Sequence, residues 1–213
     1  MFWAALALLN ITAGIVISTH PHRITDLESM MRWGGNWLLD GDAMYGVADV
    51  HVDYPPNAIV VLSPLALLPI GMAIQAWVIL SVVFACLAPY LAARFFRPYD
   101  SFRALLLPIL MFVAWGGART LTQFSLCALT FSMAALFLAD RRPFAAGVWL
   151  GLAMMKPQVA VPVFLWSVFT RRWHVAATSI AVVGALWAVY CLRAQVSPVH
   201  AQAPCVSGTA ARR

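Results

Sequence analysis

Long apolar runs almost free of charge dominate the chain. Residues 2–19, 72–93, 104–115, 121–139, 144–155, 159–169 and 175–192 contain no Asp, Glu, Lys or Arg. A backbone placed in hydrocarbon must satisfy its N–H and C=O groups internally, and a helix does so within one segment. Of the 213 residues, 62% are hydrophobic and 10% charged, against about 25% charged in soluble domains. The expected fold is therefore all-α, a polytopic transmembrane helix bundle. At about 20 residues per crossing, the apolar content suffices for about seven or eight membrane segments. The bundle is expected over residues 1–193, with residues 194–213 a disordered tail rich in Ala, Ser, Pro and Gln. The first run, 2–19, lacks a basic leader and a small-residue cleavage site, so a retained helix is expected rather than a signal peptide.

Charge placement speaks to partners and topology. The formal charge is +6, but the basic residues sit in small clusters between apolar runs instead of along one face. That is the pattern of loop charges that orient membrane proteins, not of nucleic-acid binding. Arg94, Arg97 and Arg103, then Arg141 and Arg142, then Arg171 and Arg172 predict three cytoplasmic loops. Arg119 and Lys156, the single lysine of the chain, then fall on the outer side. So does the acidic loop 20–56, which carries Asp26, Glu28, Asp40, Asp42, Asp49 and Asp53. On this topology residues 58–93 make one net crossing, and Pro64 and Pro69 make the first half re-entrant. The alternative is two full crossings there.

Within the outer loop, Thr25 followed by Glu28 reads as a capping box. Leu27, Met30, Met31, Trp37 and Leu38 recur at helical spacing, so a helix is expected to lie on the membrane with Trp33 and Trp37 at headgroup level. Gly41 ends it. Tyr54 leads into Pro55 and Pro56, where the chain should be extended. Asp26 has two readings, an acid favoured by the dipole of the first helical turn or a general base just above the membrane. Lys156 is either a helix-end residue that snorkels to the interface or a cation facing a phosphate-binding cavity. Arg119, with Gln123 nearby, has the same two readings. Asp40-Gly41-Asp42 spells a metal-binding pair in some sugar transferases, yet Asp-Gly is common turn chemistry. His20, His22 and His51 lack specific metal spacing, and Cys86, Cys127, Cys191 and Cys205 form no framework. No metal or organic cofactor is expected.

Several strings together resemble the GT-C class of membrane glycosyltransferases, above all glycosyltransferase family 87, the polyprenyl-phosphate-mannose-dependent α-mannosyltransferases. They are Thr25-Asp26-Leu27, Gly41-Asp42-Ala43-Met44-Tyr45, Asp53-Tyr54-Pro55-Pro56, Pro64-Leu65-Ala66-Leu67-Leu68-Pro69 with Trp77, and Thr122-Gln123-Phe124-Ser125-Leu126. Ala146 to Ala153, Lys156-Pro157-Gln158 and Arg171-Arg172-Trp173 complete the run. Thr122 stands where the family has glycine. The resemblance implies a multi-pass plasma-membrane enzyme. It would move a hexose, mannose by preference, from a polyprenyl-phosphate donor to an extracytoplasmic lipid or glycan acceptor, with Asp26 as catalytic base. Tyr54, Arg119, Gln123 and Lys156 are the implied substrate-binding residues. Enzymes of this kind usually carry further helices, so a C-terminally shortened copy is expected. A lipid or solute transporter and a truncated, non-catalytic membrane protein are the alternatives. If Asp26 is the base, it should share a polar cleft with Arg119 or Lys156, about one sugar apart and not salt-bridged.

Overall fold

The structure, a computed structural model, describes Thr12, residues 25–44, Val52, residues 54–96 and residues 124–195. The expected helix at 2–19, the three histidines of the outer loop, Arg97, Arg103, Arg119, Gln123 and the tail beyond Gln195 lie outside the described residues. Among the described residues every regular element is helical and none is a strand. Helix α1 spans Thr25–Gly35 and continues as a π-turn over Asn36–Asp40. Helix α2, Pro56–Leu62, runs into a 3₁₀ turn over Ser63–Leu67. Then follow α3 (Ile70–Phe96), α4 (Ser125–Leu138), α5 (Pro143–Ala153), α6 (Pro157–Phe169) and α7 (Trp173–Ala194).

Proline marks three of these starts. Pro56, Pro143 and Pro157 each stand at a first helical position, where the missing N–H has no intrahelical partner to lose. The stretch 58–93, expected to make one net crossing or two, holds a short helix broken after Leu62 and most of the continuous 27-residue α3.

Among the described residues two helices have spanning length. The 27 residues of α3 and the 22 of α7 extend roughly 40 and 33 Å at 1.5 Å per residue, against a hydrocarbon core of about 30 Å. Only 29% and 28% of their apolar windows are buried inside the protein. Ile79 is 65% exposed and Leu192 79% exposed. A core helix of a soluble protein would hide such side chains; lipid covers them at no cost. With 14, 11 and 13 residues, α4, α5 and α6 reach only about 21, 17 and 20 Å. Two helices of spanning length and shorter apolar ones stand among the described residues; the expected seven or eight membrane segments extend over residues outside them.

Close packing of α5 on α7 orders the bundle. A Cβ on Gly147 would sit 2.5 Å from the Thr178 Cβ, and one on Gly151 would sit 2.6 Å from the Val182 Cβ. Two small residues four apart let the helix backbones approach. The same contacts set direction: Gly147 faces residues 175 and 178, Gly151 faces 179 and 182, so α5 and α7 run parallel. In α3 and α4, Trp77 meets Phe124 and Phe84 meets Phe131, so these two run parallel as well. One end of the bundle gathers Trp77, Phe124 and the α5–α6 turn. The other holds the Arg172–Asp140 ion pair and the Phe144–His174 contact.

At the first end α5 and α6 stop short while α7 continues. The step is filled by α1 and α2, which pack in the larger apolar core with Trp77, Phe124, Met155 and Tyr190. The apolar stripe expected to face the membrane is covered by protein here: Trp33 and Trp37 are 7% and 3% exposed. The Trp37 indole stacks on Tyr190 at 5.8 Å and its N–H donates to the Tyr190 carbonyl at 3.1 Å. The Arg193 guanidinium donates to the carbonyls of Leu38 and Leu39 at 2.8–3.2 Å, satisfying acceptors that a helix end leaves open. Gly41, at φ 79°, turns the chain out of the helix, so the Asp40-Gly41-Asp42 string serves as a helix stop.

Candidate active site

Three elements deliver the polar side chains of the step. Asp26 lies in the first turn of α1. Tyr54 precedes Pro55, whose φ −70° and ψ 158° are the extended conformation expected ahead of a proline-started helix. Lys156 caps α6 in the turn between α5 and α6. Chain connectivity separates these residues widely; α2 packs on α7, α1 packs on α2 and its 3₁₀ turn, and the α5–α6 turn joins them through Met155 in the shared core.

Their geometry centres on Tyr54. Its hydroxyl donates to the Asp26 Oδ2 at 3.2 Å. Its ring lies under the Lys156 ammonium, 5.7 Å from centroid to Nζ, within reach of a cation–π attraction. The ring is held in turn by the edge of Phe124 at 5.4 Å, and Phe124 by Trp77 at 4.7 Å. Phe124 is fully buried, so the aromatic stack fixes the tyrosine from behind while its hydroxyl holds the carboxylate.

Asp26, Tyr54, Lys156 and Gln158, with Pro55, Met155 and Pro157, line a pocket of about 230 Å³. That is below the range of about 300–1,000 Å³ usual for drug-sized ligands; the pocket suits a compact polar group. Asp26 and Lys156 face it together without an ion pair between them; the recorded bridge among the described residues is Arg172–Asp140. Burial pushes the Lys156 ammonium below the usual lysine range, and the Asp26 charge pulls it back up in part. Desolvation outweighs that attraction because the carboxylate is not in contact.

Of the five residues singled out from sequence, the structure brings together Asp26, Tyr54 and Lys156; Arg119 and Gln123 lie outside the described residues. Gln158 and Phe124 stand in strings that carried the resemblance but were not assigned roles. Their signal was adjacency: Gln158 follows the Lys-Pro turn, and Phe124 opens α4 at the site end.

Helices alone among the described residues, two of them outward-facing, apolar and of spanning length, and a carboxylate and an ammonium in one pocket at the end of the bundle, fit a membrane protein with a polar site among apolar helices. Residues 52–201 match the family model of glycosyltransferase family 87, and the chain belongs to that family of membrane glycosyltransferases. The matched segment includes Tyr54 and Lys156, whereas Asp26 precedes it. No curated protein and no solved structure matches the chain at a significant level.

Proposed function

We propose that the chain is a hexosyltransferase that moves a sugar, mannose on the family resemblance, from a polyprenyl-phosphate carrier to a lipid or glycan acceptor outside the cytoplasm. The plasma membrane is its place, with several crossings. One observation carries the reading: Asp26 and Lys156 face a common pocket without bridging each other, with Tyr54 bonded to one and stacked under the other.

The chemistry needs this separation. Asp26 takes the proton of the acceptor hydroxyl as its oxygen attacks the anomeric carbon. The bond from that carbon to the phosphate oxygen breaks, and the electron pair leaves with the lipid phosphate. Lys156 offsets the charge gathering on that phosphate. A phosphate leaves without a strong acid, so one carboxylate serves where glycosidases use two. Tyr54 occupies one carboxylate oxygen and turns the other toward the acceptor.

The test supplies labelled polyprenyl-phosphate-mannose to membranes containing the full chain. Transfer above empty membranes is expected, and Asp26→Asn should abolish it while leaving thermal unfolding in detergent unchanged, since Asn is tolerated at helix starts. Normal transfer by the Asn variant would reduce Asp26 to a helix-turn residue.

A further inference from the structure

At the end of the bundle away from the polar pocket, α6 closes with a left-handed turn. The Arg171 N–H donates to the Val168 carbonyl at 3.0 Å and the Arg172 N–H donates to the Ser167 carbonyl at 2.8 Å. This pattern sets the residue just past a helix in the left-handed region, where glycine is the usual choice. Here that residue is Arg171, at φ 57°. Glycine takes this conformation without strain and arginine does not. Nothing in the turn itself calls for the side chain: Arg171 is exposed, and among the described residues no carboxylate pairs with it. A charged side chain kept at a strained position points to a role outside the fold.

The turn between α4 and α5 lies beside it. The Arg172–Asp140 ion pair and the Phe144–His174 contact tie the two turns together. Arg172 also lies over the Trp166 ring at 4.6 Å, so Arg172 and Asp140 are occupied within the protein. Arg141 and Arg142 are exposed like Arg171, again with no carboxylate partner among the described residues. Bare aromatic rings surround these guanidinium groups: Phe169 is 81% exposed, and Phe144 and Trp173 are exposed as well.

We propose that the two turns form a docking site for the headgroup of an anionic phospholipid in the adjoining leaflet. Arg141, Arg142 and Arg171 gather at its phosphate, since guanidinium groups pair with phosphate oxygens. Phe144, Phe169 and Trp173 rest at the boundary of headgroup and hydrocarbon, where aromatic rings are favoured. A free phosphate or an acidic peptide would use the arginines and leave the rings bare; a phosphate joined to hydrocarbon uses both. The site stands apart from the transfer reaction, because Asp26 and Lys156 lie at the other end of the bundle.

The full chain in detergent is titrated with short-chain phosphatidylglycerol, phosphatidylcholine, inorganic phosphate and polyglutamate, and the midpoint of thermal unfolding gives an apparent Kd for each. Phosphatidylglycerol should raise the midpoint, and the other three should not. Arg171→Gly relieves the turn, so its midpoint without lipid should equal or exceed that of the unaltered chain. Its Kd for phosphatidylglycerol should nevertheless weaken roughly fivefold, the scale for one arginine at an anionic surface. Arg142→Gln, which leaves the left-handed turn intact, should weaken it by a similar factor. Arg32→Gln removes the same charge from an exposed position in the last turn of α1, and should leave the Kd unchanged. Equal weakening in Arg32→Gln would overturn the site in favour of a general attraction of a basic chain for anionic surfaces. An unchanged Kd in both Arg171→Gly and Arg142→Gln, or an equal response to inorganic phosphate, would overturn it too. A response to polyglutamate and none to phosphatidylglycerol would make this a protein-docking face instead.

Discussion

Lys156 is held between two opposing influences, and the balance has a measurable consequence. Burial favours its neutral amine, the Asp26 charge favours the ammonium, and burial prevails. The group therefore loses its proton at a lower pH than an ordinary lysine. If transfer needs the ammonium to receive the phosphate, activity is present below that lowered pKa and falls as pH rises through it. Lys156→Arg should move the alkaline limb upward, because a guanidinium stays charged. Lys156→Met should cost about 10²–10³ in kcat, the scale for removing one charge-stabilising donor. A pH–rate profile of the three proteins decides it: an alkaline limb that does not move in the Arg variant would assign the lysine to interface anchoring. At this scale much was legible. Asp26, Tyr54 and Lys156 stood out as polar groups beside apolar runs, while the hydroxyl–carboxylate bond depended on α1 and α2 meeting.

The helix pair α5 and α7 carries the contact that sets the level of the site. Gly147 and Gly151 let α7 approach α5, and the Lys156 turn at the end of α5 is placed by that contact. Gly151→Leu would push four carbons into Val182 and the Ser179 carbonyl. Overpacking of this kind costs about 1–3 kcal/mol, so the midpoint of thermal unfolding in detergent should fall. Gly184→Ala, on the same helix pair but with no described residue within 4 Å of its Cβ, should raise it slightly, by the roughly 0.5–1 kcal/mol of helix propensity. Equal shifts in the two variants would mean that α5 and α7 do not pack as described. The glycine pair is visible in the sequence; which neighbour it admits is not, since spacing names a face and no partner.

Across the whole molecule the polar site and the Asp140–Arg172 pair occupy opposite ends of the bundle. Asp42, past the helix stop at Gly41, belongs to the site end through Met44, whose backbone N–H donates to the Tyr190 hydroxyl at 2.8 Å. The clustering of arginine at the far end agrees with a cytoplasmic face there. Single cysteines at Asp42 and Arg141, both exposed, in a background with the four native cysteines replaced by alanine, report the sides. An impermeant maleimide added to intact cells should label position 42, and reach position 141 only after permeabilisation. Labelling of both from one side would refute this orientation.

Helical character followed from the sequence alone, because charge-free runs of this length leave the backbone no partner but itself. Helix starts are a local matter too, since proline suits a first turn, yet Pro56 was expected in extended chain and is the first residue of α2. The apolar stripe of α1 was equally plain, but its covering was not. Lipid and protein interior are alike apolar, so the spacing of Leu27, Met30 and Trp37 is the same whether a membrane or protein lies beneath. Tertiary structure set α1 on α2 and its 3₁₀ turn, and the π-turn on α7 through the Tyr190 stack and the Arg193 hydrogen bonds, and so carried Asp26 to Lys156. The same limit applies to counting spans: hydropathy measures what a segment prefers to touch, whereas crossing depends on helix length after the chain has been cut by Pro64, the Asp140 turn and the Lys156 turn.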